Sequence, residues 1–142
     1  MKPAGAGPVS GGASRPYDRA MARTALVVDD NAGFRWEARQ LLEQDGFRVV
    51  GEAADGSAAL REASRLRPDL VVLDVGLPDS SGLELVGPLR DVSPDSFVVL
   101  VSGRRAGEYG ERVALAGADA FVEKTALSPG VLGGLVLERP GR

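Results

Sequence analysis

Leu70-Val71-Val72-Leu73-Asp74-Val75-Gly76-Leu77-Pro78 carries the most information in this sequence. Four consecutive apolar residues have no polar face, so a strand made of them is covered on both sides, as in a parallel sheet. A carboxylate follows at once. Gly76, Pro78 and Gly82 then mark a loop. The stretch thus reads as a buried strand that delivers an acid to one edge of a sheet.

The same grammar recurs on either side. Thr24-Ala25-Leu26-Val27-Val28 and Phe97-Val98-Val99-Leu100-Val101 are also apolar on both faces. Phe47-Arg48-Val49-Val50 suggests a more exposed edge strand, and Ala120-Phe121-Val122 a short last one. Helical patterns alternate with them. Asn31 can cap a helix running to about residue 45, with Phe34, Ala38, Leu41 and Leu42 on one face and Gly46 as the stop. Residues 56–66, 81–92, 107–116 and 128–137 give four more. Two of these should be poor. Gly87-Pro88 interrupts the third, where proline removes a hydrogen bond at a cost of about 3 kcal/mol, so a kink or a short helix is expected. Gly130, Gly133 and Gly134 weaken the last, which should be frayed or partly unformed. Five strand–helix units in series predict an open, doubly wound α/β domain.

Composition narrows the chemistry. The chain has 142 residues, room for one ordinary domain, and 44% are apolar, enough for a core. It contains neither cysteine nor histidine, which excludes disulfides, thiolate or imidazole metal sites, cysteine nucleophiles, Ser-His-Asp catalysis and a histidine phosphocarrier role. Residues 1–23 hold four Gly, three Pro and five Ala, with four basic residues against one acid, and read as a flexible leader. No apolar run follows to make it a secretory signal, and Met21 is an alternative start. The remaining 119 residues carry 13 positive and 19 negative charges, which argues against nucleic-acid binding. No segment approaches the roughly 20 apolar residues of a membrane span, so a soluble, cytoplasmic protein without membrane contact is expected.

In open α/β sheets ligands bind at the carboxyl ends of the strands. There stand Asp29 and Asp30 after the first strand, Asp74 after the third, Ser102 after the fourth and Lys124 after the fifth. Each has an ordinary structural reading: a helix cap, a loop residue, a turn, a solvated charge. Their arrival at the same end of separate strands is harder to attribute to chance. Three carboxylates in one cleft call for a cation, and oxygen ligands without imidazole or thiol favour Mg²⁺ with positions left open for phosphate oxygens. The chain has 15 Arg and only two Lys, and Lys124 is the one outside the leader. A compact ammonium there suits a phosphoryl group.

Val27-Val28-Asp29-Asp30-Asn31, the Val71–Pro78 stretch, Val101-Ser102-Gly103 and Phe121-Val122-Glu123-Lys124 together resemble the receiver domain of bacterial two-component response regulators, over about residues 24–137 with a tail at 138–142. Gly51-Glu52-Ala53-Ala54-Asp55-Gly56 looks most like receivers that carry a helix-turn-helix output domain. The resemblance implies a flavodoxin-like (βα)5 fold with strand order 2-1-3-4-5. It implies Asp74 as phosphoacceptor and a Mg²⁺ site made by Asp30 and Asp74, with Asp29 assisting through water and the Gly76 carbonyl completing the set. Lys124 would pair with the phosphoryl oxygens, Ser102 would hydrogen-bond them, and Phe121 would be the aromatic that moves inward with Ser102. It also implies a histidine kinase or phosphotransfer protein as phosphodonor, a downstream protein target, and a homodimer through the fourth helix, fifth strand and fifth helix. Thr125 stands where many members have proline, so that turn should differ, and the weak last helix puts the usual partner face in question. Gly76 and Arg104, two residues beyond Asp74 and Ser102, should give moderate to slow phosphate loss.

The sequence alone supports a single-domain receiver without its own output domain, catalysing only its own phosphorylation and dephosphorylation. Two other classes compete. One is a receiver-like scaffold that works without phosphorylation. The other is an aspartyl-phosphate phosphatase, disfavoured because Gly76 stands where such enzymes place a second Asp, and because the chain is short for a cap domain.

Overall fold

The computed structural model describes residues 23–137; the expected tail, and all of the expected leader except Arg23, lie outside them. The strands are β1 (Thr24–Val28), β2 (Arg48–Ala53), β3 (Leu70–Asp74), β4 (Phe97–Ser102) and β5 (Ala120–Glu123). The helices are α1 (Ala32–Gln44), α2 (Gly56–Leu66), α3 (Gly82–Val92), α4 (Arg112–Ala116) and α5 (Val131–Leu137). All strand pairs are parallel, and the sheet order is β2-β1-β3-β4-β5.

Why the central strands must be apolar throughout is visible in the packing. Leu26, Val28, Val71, Leu73, Val98 and Leu100 face one layer, with Ala59 and Ala63 of α2 and Leu83, Val86 and Leu89 of α3. Their alternating neighbours Ala25, Val27, Leu70, Val72, Val99 and Val101 face the other, with Ala38 and Leu42 of α1 and Leu132 and Val136 of α5. Burial of each Leu or Val side chain among them contributes roughly 1.5–3 kcal/mol. Among the described residues no helix is long and apolar enough to cross a membrane.

Four local expectations need correction. First, β2 runs to Ala53, beyond Val50, because parallel pairing with β1 resumes after a register shift between Ala25 and Leu26 and continues to Val28↔Ala53. Second, α3 is not shortened: it continues through Pro88 for 11 residues. Proline there removes a donor to the Glu84 carbonyl, but Glu84, Gly87 and Pro88 are all exposed, so water can satisfy it. Third, the 107–116 segment is not one helix. A 3₁₀ turn at Ala106–Tyr109 ends at Gly110, whose φ is 61°, and α4 keeps only five residues.

Fourth, the glycine-rich last segment forms a helix over Val131–Leu137, shorter than 128–137. Its stability has a source far away in sequence. The Asp45 carboxylate, at the end of α1, accepts from the Gly130 N–H at 2.8 Å and the Gly133 N–H at 2.9 Å. A Cβ on Gly133 would sit 3.2 Å from the Asp45 side chain, a tight contact that would push the carboxylate aside by a few tenths of an ångström. An acid at a helix N-terminus is favourable for both its hydrogen bonds and the helix dipole.

Candidate functional site

Strand register sets the geometry. Val28 pairs with Leu73, so Asp29 emerges level with Asp74; Asp74 pairs with Val101, and Ser102 with Glu123, so Ser102 and Lys124 follow at the same edge. One ligand oxygen from each of Asp29, Asp30 and Asp74 can be chosen so that all lie within 4.8 Å of one another. Asp29 and Asp74 are buried, and Asp30 faces solvent. The Lys124 ammonium lies 2.7 Å from Asp29 Oδ2 and 3.3 Å from Asp74 Oδ1. It also sits 4.2 Å above the centre of the Phe34 ring. Phe34, expected on the apolar face of α1, is half-buried and also supplies a cation–π wall.

The electrostatics are unbalanced. Burial, and then the neighbouring Asp29 charge, push the Asp74 carboxyl up to about 6, with Lys124 opposing. Desolvation acts to lower Lys124, but the Asp29 hydrogen bond and the Asp74 charge outweigh it and raise the ammonium above its ordinary range. One ammonium therefore leaves negative charge uncompensated. A hard divalent cation on the three carboxylates would neutralise it, and these oxygen donors fit such an ion.

The loops are tied down partly by residues already singled out, Asn31 and Gly82, and partly by Arg35 and Asp79, which were not. Asp29 Oδ1 accepts from the Asn31 N–H at 2.8 Å, while Asn31 caps α1 through the Phe34 N–H. Arg35 donates to the Asp29 carbonyl at 2.6 Å and to Glu52 at 2.9 Å. Hydrogen bonding from Arg39, and to a lesser degree from Arg35, lowers the Glu52 carboxyl against its partial desolvation. After β3, Gly82 N–H donates to the Val75 carbonyl at 2.7 Å and Gly76 bridges Ser81, closing the loop that contains Gly76. A Cβ on Gly82 would come within 2.3 Å of the Asp74 carbonyl oxygen, so only glycine fits. Asp79 in this loop accepts from the Gly56 and Ser57 N–H groups at the start of α2, which lowers its carboxyl.

Ser102 is buried. Its hydroxyl is 2.6 Å from the Tyr109 hydroxyl and accepts from the Arg104 N–H at 2.9 Å. Tyr109 meets Phe121 edge to face, with ring centres 6.1 Å apart. Both rings are half-buried, and Arg104 is exposed. Lys124 opens a 3₁₀ turn, Lys124–Ala126, that includes Thr125. The structure thus gathers Asp29, Asp30, Asp74 and Lys124 into one cluster and joins Ser102 to Phe121 through Tyr109. An aromatic in an otherwise polar loop was the available sequence signal for Tyr109; Arg35 and Asp79 had none.

Comparison with known proteins agrees with this arrangement. The family model of the response regulator receiver domain matches residues 25–132. The chain is 35% identical over 104 residues to the virulence-factor transcription regulator BvgA of Bordetella pertussis, covering 73% of this chain and 50% of that protein. It spans about half the length of the curated relatives it matches. Its fold is similar to the signal receiver domain of a NarL response regulator from Mycobacterium tuberculosis, with a TM-score of 0.75 at 27% identity, covering 85% of this chain and 98% of that one. It is also similar to a Burkholderia pseudomallei response regulator solved with a phosphorylated aspartic acid, a calcium ion and citrate, with a TM-score of 0.71 at 29% identity over 80% of this chain and 66% of that one. From the five-stranded order, the acid cluster and the match across its folded length, the chain belongs to the response regulator receiver domain family of two-component signalling.

Proposed function

We propose that this domain accepts a phosphoryl group on Asp74 in a Mg²⁺-dependent reaction and signals through phosphorylation-biased protein–protein contact. The observation that carries the reading is the setting of Asp74: a carboxylate 7% exposed, grouped with Asp29 and Asp30, and 3.3 Å from the Lys124 ammonium. An Asp74 oxygen forms the bond to phosphorus while the bond from phosphorus to the donor breaks, and the leaving group departs with the electron pair. Such transfer needs positioning and charge neutralisation more than covalent chemistry. Asp30 and Asp74 would hold Mg²⁺, with Asp29 assisting through water and the Gly76 carbonyl completing the protein ligands; the ion supplies charge neutralisation. Lys124 pairs with the phosphoryl oxygens, Ser102 donates to one of them, and Phe121 follows Ser102 inward, a two-state equilibrium biased by the new charge.

The phosphodonor in the cell is a histidine kinase or a phosphotransfer protein, and the output is a protein target in the cytoplasm. Catalysis is confined to the domain's own phosphorylation and dephosphorylation. The test is intact mass after incubation with acetyl phosphate and Mg²⁺, on the wild type and Asp74→Asn. One added phosphoryl group on the wild type alone, abolished by prior chelation, is expected. A folded, Mg²⁺-binding wild type that stays unmodified with both acetyl phosphate and kinase would favour a phosphorylation-independent scaffold.

A further inference from the structure

Ser102 is 3% exposed, so its proton needs an acceptor inside the protein. A serine hydroxyl offers one donor and two acceptor positions. The Arg104 N–H fills one acceptor position at 2.9 Å. The Tyr109 hydroxyl lies 2.6 Å away, and either oxygen of the pair can donate to the other. In the unmodified domain, therefore, the hydroxyl that Ser102 would turn towards a phosphoryl oxygen is engaged by Tyr109.

We infer that Tyr109 is a positioning residue that latches Ser102 in the resting arrangement and so sets how readily the domain switches. The inference rests on the phosphoryl-acceptor reading above. To bind a phosphoryl oxygen, the Ser102 hydroxyl must leave Tyr109. That departure also removes the anchor of the ring standing edge-on to Phe121 at 6.1 Å. Tyr109 thus opposes the first step and couples it to the second. Its 3₁₀ turn and the neighbouring α4 have no buried residue, so the release disturbs little packing.

Tyr109→Phe isolates the latch, since it deletes the hydroxyl bonded to Ser102 and keeps the ring against Phe121. The readout is the affinity for beryllofluoride, a mimic of a carboxylate-bound phosphoryl group, measured by titration in Mg²⁺ on wild type, Tyr109→Phe, Ser102→Ala and the double variant. Tyr109→Phe should bind about three- to tenfold more tightly, the equivalent of one neutral hydrogen bond. The gain should vanish in the Ser102→Ala background, a dependence that a general loosening of the loop would not produce. Unchanged or weaker binding by Tyr109→Phe, or an equal gain without Ser102, would overturn the latch. A wild type that takes neither beryllofluoride nor phosphoryl groups would instead overturn the acceptor reading, and the latch with it.

Discussion

The two halves of the sheet are built to different standards. Around β1 and β3, nearly every strand residue is buried, and the loops beyond them are fastened by Asn31, Arg35, Asp79 and Gly82. Around β5, all four strand residues are only half-buried, α4 has five residues with none buried, and two 3₁₀ turns replace regular helix. The carboxylates stand on the tight half. Ser102 closes the tight strand β4, but its partners Tyr109 and Phe121 stand on the loose half. Charge is held where movement is costly, and response is placed where few contacts must be given up.

That contrast can be tested by substitution. The largest difference is expected between two glycines. Gly82→Ala drives a Cβ into the Asp74 carbonyl, backbone against backbone, and should cost about 4 kcal/mol or prevent folding, whereas Gly103→Ala meets nothing within 4 Å and should stay within about 0.5 kcal/mol, both read by urea denaturation. Equal effects would end the claim that the halves differ in rigidity.

Next comes the charge on the tight half. With its carboxyl raised to about 6 in the metal-free fold, Asp74 binds more proton folded than unfolded between its ordinary value of 3.8 and that point. Stability should therefore fall as pH rises through that window, and the ionised form should remain a burden above it. Asp74→Asn should then be about 2 kcal/mol more stable than wild type near pH 8 without metal, with the gain fading towards pH 4. Millimolar Mg²⁺ should narrow the gap. A thermal melt series across pH checks all three statements.

Smaller effects are expected at the last helix and on the loose half. Asp45→Ala removes two charge-assisted hydrogen bonds from α5 and should cost about 1 kcal/mol, with faster amide exchange at Gly133 through Val136. Leu115 is 80% exposed on α4, and Leu115→Ser should change stability by no more than about 0.5 kcal/mol.

The sheet could be read from the sequence because a strand buried on two faces leaves a run such as Leu70–Leu73 with no polar alternation, and the acids follow those runs directly. Asp29, Asp30, Asp74 and Lys124 were accessible for the same reason: parallel strands bring their ends to one edge whatever lies between. The helices were less legible. Pro88 is tolerated because its turn faces water, and the 107–116 pattern fails because Gly110 redirects the chain, both matters of context and not of period. Three tertiary hydrogen bonds were harder still to read. Arg35 on Asp29, Asp79 on α2 and Tyr109 on Ser102 are single hydrogen-bonding side chains, and a local pattern does not say which backbone they will meet.

Asp45 has one more consequence, for the order in which the chain is made. Its partner Gly130 lies 85 residues further on, so during synthesis the acid emerges long before the backbone it will cap. Until Leu132 and Val136 follow, the apolar layer that includes Ala38, Leu42, Val99 and Val101 lacks two of its side chains. A nascent domain halted before α5 would carry that patch uncovered, a sticky intermediate of the kind that chaperones screen. The carboxylate at the end of α1 then serves as a catch that closes only when the last helix arrives.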